Sequence, residues 1–375
     1  MSAAFPTSEA VVDLAVYAHN LRYAAECVGP GVKLVAVVKA DGYGLGAVPL
    51  ARRALESGAA AMLGVATVDE AAALRDAGID APILLLMQPA PETFPAVAAL
   101  DLQVTLCDRE GARALDAIAR GRNQVLPVHA MVDTGMGRQG FAMDTAAADL
   151  LEIAASSALR LEGIGTHYPV ADFTGDPFTA GQIARLKDVA AALRAGGVRP
   201  LHIHGANSAG VVDHGDDLYT LARPGIMCMG VWPTDQIPSP NPIRPVLRWE
   251  THVSQVRTFP PGHSVSYGRT YITPEAMVAA VLPVGYADGY RRAFSNKAEV
   301  LIQGRRCPVR GRVCMDQTVV DVTHVPGVAP GDTVVLAGVQ GADQITLEEL
   351  AAHAATIPYE ILTGIGRRVA RVYTN

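Results

Sequence analysis

The sequence is short of the features that mark several large protein classes. Its five cysteines, Cys27, Cys107, Cys228, Cys307 and Cys314, are odd in number and contain no CxxC pair. That spacing argues against a disulfide framework or a zinc ribbon and for reduced thiols in the cytoplasm. Basic residues are not in surplus: 31 Lys and Arg face 37 Asp and Glu, for a net charge of -6. The tight basic pairs, such as Arg52-Arg53 and Arg305-Arg306, are scattered, so no stripe is expected to meet nucleic acid. No apolar run reaches the length that crosses a membrane. The opening residues lack the basic-then-apolar order of a secretory signal. No P-loop, HExxH or GxSxG pattern occurs, and no internal repeat. What is present is core material: 50% of the residues are hydrophobic and 18% charged, too apolar for disorder. A chain of 375 residues suits a large barrel plus a smaller unit.

Over the first 240 or so residues, short apolar runs alternate with Ala/Leu/Arg-rich helical stretches. The runs are Lys33–Val38, Ala61–Ala66, Pro82–Met87, Leu102–Leu106, Val125–Val132, Leu161–Thr166, Pro200–His204 and Leu218–Ala222. Helices are expected over Val68–Arg75, Arg109–Ala119, Thr145–Ala155 and Thr179–Ala195. Continuous apolar runs read as buried parallel strands, and about eight β/α repeats fit a TIM barrel, with an open doubly wound sheet as the alternative. The proline-rich PTDQIPSPNPIRP, 233–245, breaks this pattern. The expected domains are therefore 10–238, a barrel, and 239–375, a mostly antiparallel β unit with which the first ten or so residues pack. Its strands are expected at Glu250–Phe259, Met277–Pro283, Glu299–Ile302, Thr318–Val322, Thr333–Ala337 and Arg368–Tyr373. One helix, Thr346 to about Ala355, opens on a Thr346/Glu349 capping box.

A TIM barrel keeps its chemistry beyond the C-terminal ends of its strands. There the first run ends in Lys39, the fifth is followed by Arg138, and the sixth by His167 and Tyr168. The seventh leads to Asn207 and Ser208, and the eighth to Arg223-Pro-Gly-Ile. The other three ends are quieter. Loops seven and eight are rich in small residues, which let backbone N–H groups approach an anion. A phosphate there and a lysine after strand one have the makings of a pyridoxal phosphate (PLP) site. Blander readings exist for each residue: a lysine at the edge of the core, a surface arginine, a hydrogen-bonded core histidine. His202 and His204 could share a strand face as metal ligands, but no matching carboxylate or cysteine set accompanies them, so no metal is expected. Cys314 reads as a buried thiol. Gly135–Gly140 matches the dinucleotide fingerprint GxGxxG, yet Arg138 occupies the turn and FAMD delays the next helix.

Nine segments in order, AVVKADGYGLGA, DTGMGRQG, THY, HGANSAG, ARPGI, SYGRTY, GYADGYRR, GRVCMDQ and TIPYEILTGIGRRV, together resemble the alanine racemases. They cover the chain from about Val35 to Val369. The resemblance implies that Lys39 carries PLP as a Schiff base, and that Tyr43, Ser208, Gly225, Ile226 and Tyr359 hold its phosphate, with Asn207 beside them. It implies that Arg223 donates to the pyridine nitrogen and is supported by His167. Arg138 and the Met315 N–H would bind the substrate carboxylate, and Tyr267 would be the second catalytic base. Tyr267 and Met315 would come from the partner of a head-to-tail homodimer with shared sites. Asp172, Tyr286, Arg292 and Arg312 would line the substrate entrance. The implied activity is interconversion of L- and D-alanine by two bases, supplying D-alanine for the cell wall.

One departure is plain. Several family members place a lysine, carbamylated in the folded enzyme, seven residues before this arginine; here the position is Met131. Methionine cannot orient Arg138 by charge. Four other functions compete: a broader racemase acting on serine or basic amino acids, a PLP decarboxylase, a non-catalytic PLP carrier, and an oxidoreductase built on Gly135–Gly140. SYGRTY and CMDQ argue against the decarboxylase, and the β domain against the carrier.

Overall fold

The computed structural model describes residues 7–213, 219–237 and 243–375. The chain divides into two compact units. The larger comprises 17–42 and 47–244; the other comprises 1–16, 43–46 and 245–375. The expected domain break at 238/239 lies outside the described residues, as does Leu218, the expected start of the eighth run.

The chain begins in the second unit with β1 (Ser8–Asp13). It then builds a closed, eight-stranded barrel in the first. The barrel strands are β2 (Lys33–Val37), β3 (Ala60–Val65), β4 (Ile83–Leu85), β5 (Gln103–Leu106), β6 (Leu126–Met131), β7 (Leu159–Gly165), β8 (His202–His204) and β9 (Leu221–Ala222). Every neighbouring pair is parallel, and β2 closes on β9. This is the TIM barrel, with both strand faces covered; all six residues of β6 are buried. Val35, Met62, Leu84 and Leu221 form one interior cluster.

Helices between the strands start where short polar side chains can cap them. Thr67 opens Val68–Asp76 with a complete capping box through Glu70. Asp108 caps Arg109–Gly121 and Asp176 caps Pro177–Ala195. Each accepted amide is one that the helix itself leaves without a partner.

The second unit holds β10 (Leu247–His252), β11 (Gln255–Phe259), β12 (Ser264–Val265), β13 (Tyr271–Ile272), β14 (Met277–Leu282), β15 (Glu299–Ile302), β16 (Arg305–Pro308), β17 (Thr318–Asp321), β18 (Thr333–Gln340), β19 (Asp343–Ile345) and β20 (Ala370–Thr374). The larger sheet runs β16-β15-β18-β10-β1-β20, with β19 on β18; β11-β14-β17 and β12-β13 are separate. All pairs are antiparallel except β1 with β20.

Three expectations change here. The single strand Glu250–Phe259 is two strands. The Val253 N–H donates to the Asp332 carbonyl and the Ser254 N–H to the Val281 carbonyl, so adjacent residues pair with different sheets. The Thr346/Glu349 box is half formed. Thr346 Oγ1 accepts from the Glu349 N–H at 3.0 Å, but the Glu349 carboxylate is taken by Arg306 at 2.8 Å. A second helix, Pro358–Thr363, follows the first.

Candidate functional site

Lys39 stands just past β2, where the backbone turns left-handed. Ala40, Asp41 and Gly42 have φ of 53, 51 and 63°, and Tyr43 has 57°. For residues other than glycine this costs about 1–2 kcal/mol each, so the surroundings must impose it. The Gly42 N–H donates to the Val38 carbonyl at 2.8 Å. Asp41 Oδ1 accepts from the Ala47 N–H at 2.8 Å. Glu70 Oε1 accepts from the Ala40 N–H at 2.7 Å, while Oε2 accepts from Ala66 and Thr67. The quiet second run end thus supplies a carboxylate that steadies the Lys39 turn. Glu70 was absent from the sequence candidates, although the Thr67/Glu70 spacing carried the signal.

Lys39 keeps solvent-exposed surface, yet neighbouring protein lowers its pKa. Desolvation is the largest cause, then Arg138; Glu70 opposes them, and Arg223 lowers it further. Arg223 is buried. Its Nη2 donates to the Thr166 carbonyl at 2.8 Å and to the Gly205 carbonyl and His167 Nδ1 at 3.3 Å; Nη1 donates to His204 Nδ1. No carboxylate reaches it, and no acceptor meets its Nε–H, among the described residues. Burial pushes its pKa down to about 10, which leaves it charged at neutral pH. His167 is held neutral, pushed down to about 3 by desolvation and then by Arg223, Arg138 and Lys39. His202 and His204 do lie together on β8, but His204 spends both ring nitrogens, on Arg223 and on His129.

Ser208 Oγ accepts from the Gly225 N–H at 2.9 Å and the Met227 N–H at 3.3 Å, gathering loops seven and eight around one hydroxyl whose proton is still available. Ile226 follows directly. The Asn207 side chain is committed to the loop: it donates to the Tyr168 carbonyl and accepts from the Gly210 N–H. In the GxGxxG segment, Asp133 Oδ1 accepts from the Gly135 and Gly137 amides at 3.0 Å, so these N–H groups are not offered to a pyrophosphate. Arg138 is exposed and makes no hydrogen bond or ion pair with the described residues; Met131 is buried in β6. Asp172 is half-buried, its carbonyl accepting from Thr234.

The remaining candidates belong to the second unit. Tyr43 and Tyr359 face each other with ring centroids 6.1 Å apart. Tyr267 is 72% exposed and Met315 53%. Tyr267 follows Ser266, which holds φ 63°, ψ -175°, a region ordinarily reserved for glycine. Ser266 Oγ is tied to the Arg312 carbonyl at 2.5 Å and contacts Cys314 Sγ at 3.3 Å; Cys314 is half-buried rather than buried. Gly268 then passes so close to the Arg312 guanidinium that a Cβ would meet it at 2.8 Å. The Tyr286 N–H donates to the Cys314 carbonyl and the Ala287 N–H to the Met315 carbonyl, both at 3.0 Å. Tyr267, Tyr286, Arg312 and Met315 therefore form one patch on strained, cross-tied loops. Arg292, also exposed, opens the short helix Arg292–Phe294.

Fold and cluster define a barrel enzyme with, at its mouth, a lysine and an arginine that no carboxylate of the described residues reaches. The family models described as alanine racemase N-terminal domain and C-terminal domain match residues 12–233 and 246–373. An alanine racemase of Symbiobacterium thermophilum is 46% identical, over 97% of this chain and 96% of its own. The solved alanine racemase of Streptomyces coelicolor superposes with a TM-score of 0.92 at 36% identity, covering 98% of both chains. That of Bartonella henselae, solved with covalently bound pyridoxal phosphate, superposes with a TM-score of 0.89 at 29% identity, over 98% of this chain and 99% of its own. The chain belongs to the alanine racemase family, enzymes of the isomerase class. Nothing among these relatives favours a broader amino-acid racemase, a decarboxylase or an oxidoreductase.

Proposed function

We propose that the chain interconverts L- and D-alanine with pyridoxal phosphate, using two bases in sites shared by a head-to-tail homodimer. The observation that carries this is the pairing at one barrel mouth of a lysine with lowered pKa and a buried arginine whose Nε–H meets no acceptor among the described residues. That donor set suits a group with an aldehyde, a ring nitrogen and a phosphate, and the Bartonella henselae relative holds such a group covalently.

Lys39 is the attachment point in this reading. Ser208, Gly225, Ile226, Tyr43 and Tyr359 hold the phosphate, and Asn207 shapes the loop. Arg223, steadied by His167, donates to the ring nitrogen. Bound pyridoxal phosphate supplies an electron sink that makes a Cα proton removable. Arg223 keeps its own proton, so it moderates that sink and restrains transamination. Lys39 Nζ moves the proton on one face, its lowered pKa bringing the amine nearer to the working pH. Tyr267 Oη of the partner subunit moves it on the other. Arg138 and the partner's Met315 N–H grip the substrate carboxylate, while Asp172, Tyr286, Arg292 and Arg312 line the entrance. The exposed Tyr267 patch suits burial against a second copy. The cellular role is cytoplasmic supply of D-alanine for the cell wall.

Two measurements test this. Borohydride reduction and mass mapping should place a pyridoxyl adduct on Lys39; an adduct on another lysine ends the reading. Tyr267→Phe should retain the cofactor and slow racemisation by about 10²–10⁴-fold, the range of a lost general acid–base group. Unimpaired racemisation would remove the second base.

A further inference from the structure

Three barrel residues outside this scheme lie in file behind Arg223. His204 Nε2 is 2.9 Å from His129 Nδ1, and His129 Nε2 is 2.9 Å from Gln103 Oε1. The file crosses the interior from β8 through β6 to β5, and both rings are fully enclosed. Two glycines of β7 make room for them. A Cβ on Gly163 would strike the His129 ring, and one on Gly165 the His204 ring.

The donors can run in one direction only. Arginine has N–H donors and no acceptor, so His204 Nδ1 carries no proton. Its proton sits on Nε2 and is donated to His129 Nδ1. The His129 proton is therefore on Nε2, aimed at an oxygen of Gln103. A second proton on either ring would set two N–H groups against each other. Burial works the same way: desolvation foremost, then His202 and Arg223, pushes His129 down to about 3. His204 lies well below the usual histidine range, from desolvation and then Arg223, His129 and His202. Among the described residues Arg223 is a buried cation that leans on neutral acceptors alone, and in a low-dielectric chain each acceptor polarises the next.

We propose that Gln103 is a positioning residue for Arg223: its carbonyl ends the file and locks His129 and His204 as Nε2–H tautomers, which holds the guanidinium in place. The consequence for catalysis rests on the role of Arg223 proposed above; the tautomers do not.

The test is ¹⁵N–¹H correlation spectroscopy of the PLP-loaded enzyme labelled at histidine, alongside steady-state racemisation. Both rings are expected as neutral Nε2–H tautomers. Gln103→Leu should mix the His129 tautomers and lower kcat about tenfold, the order of one neutral hydrogen bond, with KM nearly constant. Gln103→Glu keeps an acceptor and should restore the tautomers and most of the rate. An Nδ1–H tautomer at either ring in the unaltered enzyme overturns the proposal. So does a Gln103→Leu enzyme with tautomers and kcat unchanged. Mixed tautomers with full kcat would also overturn the positioning role, since the reaction would not need the locked file. If Gln103→Leu does not fold, the unaltered enzyme and Gln103→Glu still decide the tautomers.

Discussion

The barrel mouth and the Tyr267 patch handle their reactive groups in opposite ways. At the mouth, Arg223 is buried and His167 half-buried, and the hydrogen bonds of the Arg223 guanidinium are made within one unit. In the patch, Tyr267 and Met315 are more than half exposed, although the loops under them are strained and tied. Exposed apolar side chains held on tied loops suit the partner surface proposed above. One region is finished by its own chain; the other, in the dimer proposed above, would be finished by a second copy.

The largest effect should come from separating the two. Lys39→Ala should reduce racemisation by at least about 10²-fold, and Tyr267→Phe comparably. Mixing and re-pairing the two inactive proteins should restore about a quarter of full activity, because random pairing makes half the dimers mixed, each with one intact site. No recovery, with exchange verified, would mean that sites are not shared.

A smaller effect sharpens the other side. Gly165→Ala should destabilise the chain by about 1–3 kcal/mol, since the new methyl overpacks His204. The melting temperature reads this; a neutral result would show that the interior can yield.

A further effect is a pH dependence. His129 and His167 both have folded pKa values pushed down to about 3. The unfolded chain binds more protons between that value and about 6.5, the ordinary histidine value. Their contribution to stability is therefore complete above about 6.5 and is lost as pH falls towards 3, at up to ~1.4 kcal/mol per pH unit for each. Denaturant titrations from pH 7 to 4 should show this slope, reduced in His129→Gln. An unchanged slope would mean that His129 is not neutral by burial.

Much of the barrel was legible because parallel strands buried on both faces must be apolar throughout; all eight runs emerged as strands, although the start of the eighth lies outside the described residues. Long-range exchanges of hydrogen-bond partner were not. The strand over 250–259 divides at Val253–Ser254 because two sheets compete for adjacent amides, and a one-dimensional pattern carries no sign of that. Within the candidate site, Lys39, Arg223 and Ser208 announced themselves by standing at strand ends. Glu70 did not, since it acts from the helix after a quiet strand. The His129–His204 file was hidden for a different reason: each histidine looks like an ordinary core residue, and only the glycines opposite reveal that a ring was meant to fit. Tyr267 was legible through the family resemblance alone.

The place of β1 carries one more consequence. Glu9 pairs with Glu250 on one side and with Ala370 on the other. During synthesis, then, β1 waits unpaired while the whole barrel is made, and its sheet is completed only when the strand beginning at Ala370 arrives. Closing so long a loop adds little entropy beyond that of a shorter one, but it makes the second unit the late and slow step of folding. Until then an uncovered strand edge is present, and that edge is where aggregation of newly made chains should begin.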